Sequence, residues 1–237
     1  MNRTGLTYRL WFIVIALTGG ILLFSCAGKD KKARVIREAG ALYLDCQVNA
    51  EEGDDKLTVL IRFRDGEDGN SVTLPEGTAV YLDDEKLIPD SSRLTGSFYE
   101  IHKPIPEFEG RHTIFLLDKG KKIYEQGLEF HPMLLLTGLA DTLSRQDLVL
   151  ELKGLQKEDY VRVIATDTLF SSEGINRLDT VREGRLIIRA GDFNTLVSGP
   201  VQLLLLREFE IPLRKDSGAT GKLALRYQLR REFMLKD

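Results

Sequence analysis

From about residue 40 onward, apolar and polar residues alternate with a period of two, the pattern of strands buried on one face. Leu57, Val59, Ile61 and Phe63 alternate with Thr58, Arg62 and Arg64, and Leu42, Leu44, Cys46 and Val48 fall on one side of an earlier run. Further strands are predicted at 79–82, in the arm 86–88, at 97–101 and at 111–117, and Tyr124, Gln126, Leu128 and Phe130 alternate with Glu125, Gly127 and Glu129. Turn-forming pairs punctuate them: Asp65-Gly66, Asp68-Gly69, Asp83-Asp84 and Lys119-Gly120. The Pro-containing stretch Ile101-His102-Lys103-Pro104 also reads as a turn. Roughly seven short strands over about 95 residues predict an immunoglobulin-like sandwich, with 110–130 as its closing hairpin. The Cys-Trp-Cys core signature of antibody-type domains is absent.

His131-Pro132 followed by the apolar run 133–136 reads as a junction, because a proline just past a strand stops ladder pairing. The alternation then restarts. Leu148, Leu150 and Leu152 share one face, as do Val161, Val163 and Ala165, and Leu186, Ile188 and Ala190. Residues 201–206 are apolar on both faces apart from Gln202, which predicts a strand covered on both sides. In the last run Leu223, Leu225, Tyr227, Leu229, Phe233 and Leu235 share a face that only Arg231 interrupts, and Lys222, Arg226 and Arg230 lie opposite. One helical turn is expected at 192–197, ended by Ser198-Gly199-Pro200. The fold expectation is therefore all-β, with two tandem immunoglobulin-like β-sandwiches at 40–132 and 133–237.

The first thirty residues follow a different pattern. Arg3 and Arg9 give a basic head, 10–24 is apolar apart from Thr18 and two glycines, and Ser25-Cys26-Ala27-Gly28 precedes the charged Lys29-Asp30-Lys31-Lys32. This is the layout of a secretory signal. Its apolar part, about 15 residues, is shorter than the ~20 a spanning helix needs. Leu23-Phe24-Ser25-Cys26 resembles the lipobox of bacterial lipoproteins, with Leu three residues before the cysteine and a small residue next to it; Phe24 departs from the residue usual at its position. The resemblance implies a signal peptide over 1–25, cleavage between Ser25 and Cys26, a diacylglycerol thioether on Cys26, acylation (palmitate-type) of the new amino terminus, and a lipidated tether over 26–39. Two or more acyl chains suffice for stable anchoring. Lipobox, charged tether and two small sandwiches together resemble the envelope lipoproteins common in Bacteroidota-type bacteria.

After such a cut about 212 residues remain, enough for two ordinary domains. Charged residues make up 29% of the chain at a net charge of −3, a mixed surface without the basic bias of nucleic-acid binding. With Cys26 lipidated, Cys46 has no disulfide partner, and its place on an apolar strand face makes it a core residue. His102, His112 and His131 are scattered without metal-ligand spacing. The run Asp65-Gly66-Glu67-Asp68-Gly69-Asn70 superficially suits calcium but lacks the closing bidentate glutamate, and it reads as a solvated loop. Ser91-Ser92, Ser144 and Ser171-Ser172 lack nucleophile-elbow glycines, no phosphate or dinucleotide glycine pattern occurs, and the pairs Glu51-Glu52, Asp83-Asp84 and Glu158-Asp159 sit in turn-like contexts. Lys222, Arg226 and Arg230 read as charges blunting an edge strand, with anionic lipid or polysaccharide as the competing use.

No catalytic, cofactor or metal residue is thus expected. The leading functional expectation is a non-enzymatic module for binding, spacing or assembly, anchored to membrane lipid through Cys26, on the outer membrane, with an envelope protein or glycan as partner and no nucleic acid. The alternatives are a glycan-binding accessory of a polysaccharide-uptake system, drawing on Tyr43, Tyr81, Phe98, Tyr99, Tyr124, Tyr160 and Tyr227, and a fimbria-like subunit that exchanges a strand after a cut near 34–37.

Overall fold

The computed structural model describes residues 42–92, 96–156, 158–169, 172–213 and 220–237. The leader and the tether, with Ser25 and Cys26, lie outside the described residues.

The first sandwich is built from β1 (Leu42–Glu51), β2 (Lys56–Asp65), β3 (Thr78–Leu82), β4 (Glu85–Lys86), β5 (Pro89–Ser92), β6 (Gly96–Pro104), β7 (Gly110–Asp118) and β8 (Lys121–Phe130). One layer runs β5-β6-β2-β1 and the other β4-β3-β7-β8, the two-layer strand order of an immunoglobulin-like domain. The period-two pattern is the cause. Val48, Val59, Ile61, Val80 and Ile114 are each fully buried, while Thr58, Leu60 and Arg62 between them face outward. Each such side chain contributes about 1.5–3 kcal/mol by leaving water. Phe63 meets Tyr99 edge-on at 5.9 Å within the same core. Lys119 and Gly120, with φ of 49° and 82°, make the two-residue turn between β7 and β8; positive φ at both central positions matches the twist of the flanking strands.

The expected turn at 101–104 is instead the end of β6: Ile101 to Pro104 pair with Val59 to Lys56. Pro104 closes the strand and opens a 3-10 turn, Ile105–Phe108, in which a fixed proline φ is favourable. His102 is therefore a strand residue, with Thr58 Oγ1 3.1 Å from its Nδ1.

The second sandwich contains β9 (Leu134–Leu135), β10 (Thr142–Ser144), β11 (Leu148–Lys153), β12 (Glu158–Thr166), β13 (Ile175–Arg182), β14 (Arg185–Ile188), β15 (Gly199–Pro212) and β16 (Thr220–Lys236). Its order is β16-β15-β12-β13-β14-β11-β9, with β10 parallel to the end of β16. The expected helical turn is a 3-10 segment, Ala190–Thr195. Phe193 from this segment is buried together with Leu150, Leu186, Ile188, Val163 and Leu205.

The two sandwiches share a strand. β15 and β16 form a hairpin paired from Gly199↔Leu235 to Pro212↔Lys222. β16 spans 17 residues, about 55 Å at strand rise. Its edge away from β15 takes two parallel partners in succession: β1 along Thr220 to Gln228, and β10 along Met234 to Lys236. At the near end Gly221 lies opposite Leu44, where an added Cβ would come within 2.0 Å of the Leu44 carbonyl oxygen. β16 is thus internal in the sheet, which corrects the expectation of a charge-blunted edge strand. The sequence period set its faces, but its neighbour β1 comes from 177 residues earlier, as in the Gln228–Glu51 hydrogen bond.

Candidate functional site

The residues singled out from sequence take structural places. Cys46 is 1% exposed, and burial first, then the Asp45 carboxylate, pushes its thiol far up, so it is an unreactive core group. The histidines stay apart. His112 stacks on Phe108 and contacts Asp83 and the Phe108 carbonyl, and His131 lies near Glu109 and Glu129. Among the described residues no three His, Cys, Asp or Glu side chains converge as a metal site. The 65–70 loop is closed by its own backbone, with Asp65 N–H donating to Asn70 O and Gly69 N–H to Gly66 O. The acidic pairs also hold structure: Asp83 accepts from the Thr113 amide, while Glu51 and Glu52 reach across to Arg230 and Arg231.

The cations of the last strand are neutralised within the sheet. Lys222 pairs with Glu210 at 3.3 Å, Arg226 Nε donates to Glu208 at 3.1 Å, and Arg230 lies 3.5 Å from Glu51. Glu210 holds the Lys222 ammonium above its ordinary pKa. The stripe is a ladder of ion pairs and not a free cationic surface. Arg231, the one residue out of pattern, falls where β16 passes between its two parallel partners, and Glu52 meets it there.

Between the sandwiches Arg207 points inward from β15. Its side chain is 8% exposed, and Nη2 stands 2.8 Å from Asp159. Nη1 donates to the carbonyls of His131 at 3.3 Å and Gly154 at 3.2 Å, and the guanidinium lies 5.1 Å from the Phe209 ring centre. These contacts tie the junction 131–132 and the β11–β12 connection to the shared hairpin. The cavity beside it, bounded by Phe130, Phe209 and Tyr227, measures about 10 Å³, room for at most one water. That is too small for a metabolite.

The larger exposed feature is the outer face of β13, β12, β15 and β16. Registers set out its rows: Leu178–Arg162–Leu206–Gln228, then Asn176–Ile164–Leu204–Arg230, then Thr166–Gln202–Glu232. Tyr160 and Leu178 are each 57% exposed, and Ile164, Leu204 and Leu206 are half-buried. Below the last row the face opens into a trough of about 520 Å³ edged by Asp141, Pro200, Gln202, Glu232 and Met234. Asp167, at its rim, is occupied: the Val197 amide and then other hydrogen bonds hold its carboxyl below the ordinary range. An apolar centre with a polar rim is the anatomy of a protein docking surface. The run 201–206, expected from sequence to be covered on both sides, instead leaves Leu204 and Leu206 half-buried on this open face; the contribution of β13 was not legible. β13 reads Ile-Asn-Arg-Leu-Asp-Thr-Val-Arg, where inward Arg177 and Asp179 pair with each other while Leu178 faces out.

Among the described residues the aromatic side chains do not form a platform. Tyr81 and Phe115 stack on each other at 4.8 Å and 3°, and Tyr43, Tyr99, Tyr124 and Tyr227 are buried. No helix among the described residues is long and apolar enough to cross a membrane.

No protein-family model matches the chain, and no curated protein matches it in sequence. Among solved structures it is similar to DIP-gamma IG1+IG2 (10% identity, 81% of this chain and 98% of that one, TM-score 0.23). It is also similar to domains 6–7 of surface layer protein SbsC (11%, 80% and 98%, TM-score 0.26). Domains 3 and 4 of rat CD4 are a further likeness (12%, 73% and 92%, TM-score 0.24). The strand order described above defines the fold: all-β, two tandem immunoglobulin-like sandwiches.

Proposed function

We propose that this chain is a non-enzymatic bacterial envelope lipoprotein, anchored through acylated Cys26 on the outer membrane, whose two sandwiches act as one stiff arm for binding and assembly. The observation that carries this reading is β16, paired with β1 at one end and β10 at the other. A hinge between the sandwiches would have to break a continuous hydrogen-bonded strand and the Arg207 hydrogen bond to the His131 carbonyl, so the arm transmits position instead of swinging. The ion-paired last strand and the histidines in structural contacts leave contact chemistry as the supported activity. Glycan capture is less well supported, because Tyr81 and Phe115 stack on each other and Tyr43, Tyr99, Tyr124 and Tyr227 are buried. Strand exchange at β1 would have to unzip two partners, β2 and β16.

The test is mass spectrometry of the mature amino terminus together with membrane partitioning, using Cys26→Ala as the control. The expected native species begins at an acylated Cys26 and sediments with membranes, while the variant is released. A native protein without lipid on Cys26 would overturn the anchored reading.

A further inference from the structure

We infer that the outer face of the second sandwich is a self-association surface whose partner is a second copy of this chain. Leu204 is the midpoint of the face. Arg162 lies one strand over and one row above it, and Glu232 lies one strand over on the other side and one row below. The two charges are therefore separated by roughly 10 Å across the strands and 13 Å along them, with Ile164, Leu204 and Leu206 between.

These two side chains differ from the other charges of the surface. Arg226 and Arg230 are matched by Glu208 and Glu51. Arg162 has only the Asn176 amide oxygen, at 3.2 Å, and Glu232 only the Gln202 amide nitrogen, at 3.4 Å. Among the described residues neither forms an ion pair: Arg230, the next residue along the face from Glu232, is taken up by Glu51, and Glu208, diagonal to Arg162, is taken up by Arg226. Arg162 and Glu232 thus stand without ion-pair partners among the described residues, on opposite sides of Leu204. A two-fold axis lying between two such faces and passing by Leu204 brings Arg162 of each copy onto Glu232 of the other. One operation satisfies both charges twice, as an isologous interface requires. It also covers Leu178 and the apolar centre, with the charges at the rim where they set register. An unrelated partner would need to supply an acid and a base at the same spacing, whereas a second copy supplies them by symmetry.

Dimerisation deepens the assembly role proposed above but does not depend on the anchor. The experiment is sedimentation of the full chain, extracted in mild detergent, as native protein, Arg162→Glu, Glu232→Arg, the double reversal, and Leu204→Arg. Leu204 is half-buried on an outer face, and the charged positions are exposed, so all variants are compatible with the fold. The native chain is expected to dimerise. Each single reversal should weaken the dimer by about tenfold or more by setting like charges opposite each other, Leu204→Arg should abolish it, and the double reversal should restore it. A native chain that is monomeric at every concentration overturns the proposal, as does a dimer indifferent to these changes. A monomer still carrying lipid on Cys26 would leave the anchored reading standing.

Discussion

Arg207 does at the scale of a single residue what the shared hairpin does at a larger one, joining the His131 carbonyl at the junction to Asp159 and Gly154 of the second sandwich. A guanidinium this buried is tolerable because one carboxylate and two carbonyls receive it, and removing one member of such a pair costs more than the pair contributes. Asp159→Asn leaves a buried cation without its counter-charge and is expected to cost about 3–5 kcal/mol of unfolding free energy. Arg207→Met, which removes the charge and keeps the bulk, should cost Asp159 less, because that carboxylate is nearer solvent. Urea titration of both variants checks the order; a smaller loss for Asp159→Asn than for Arg207→Met would contradict it.

At the scale of elements, the seam between β1 and β16 depends on Gly221, whose φ of 155° is one that side chains rarely adopt and whose missing Cβ leaves room for the Leu44 carbonyl. Gly221→Ala should raise amide exchange along β1, from Leu44 to Val48, while the β12–β15 pairing is unchanged. Exchange rates equal to those of the native protein would refute this. The 3-10 segment between β14 and β15 makes a second case. Asp147 accepts from the Ala190 amide, then Arg189, and Asp167 accepts from the Val197 amide; both carboxyls are held below their ordinary pKa. A lowered folded-state pKa contributes stability that is present above the unfolded value, about 3.9, and is lost as pH falls through the folded one. Urea midpoints should therefore fall on acidification below about pH 4, and the double change Asp147→Asn with Asp167→Asn should flatten that fall. An undiminished acid slope would show that other carboxylates carry it. Much of this level was legible in the sequence. The closing hairpin 110–130, the core face of β2 and the burial of Cys46 all follow from alternation. β13 was not, because an inward ion pair at Arg177 and Asp179 inverts its polarity. The partners of β16 were not either, because periodicity fixes which way a strand faces and carries no information on what lies beside it. The outer face of the second sandwich escaped for a related reason, since its unpaired charges stand out only once their neighbours are known to be neutralised.

At the scale of the whole molecule, both sandwiches bury residues against strands of one hairpin, so neither closes without it. Calorimetry is expected to give one endotherm with calorimetric and van't Hoff enthalpies in agreement, where two independent sandwiches would give two. Two resolved transitions would mean that the seam is weaker than its pairing implies. The shared strand also sets a clock on the molecule's birth. The edge of β1 is made early, yet the strand that covers it is synthesised 177 residues later. At 5–20 residues per second the 177 residues separating Glu51 from Gln228 take roughly 10–35 s to synthesise. Through that interval the nascent chain holds an unsatisfied strand edge, the kind of template on which neighbouring chains aggregate, and the first sandwich waits for the last strand before it is complete.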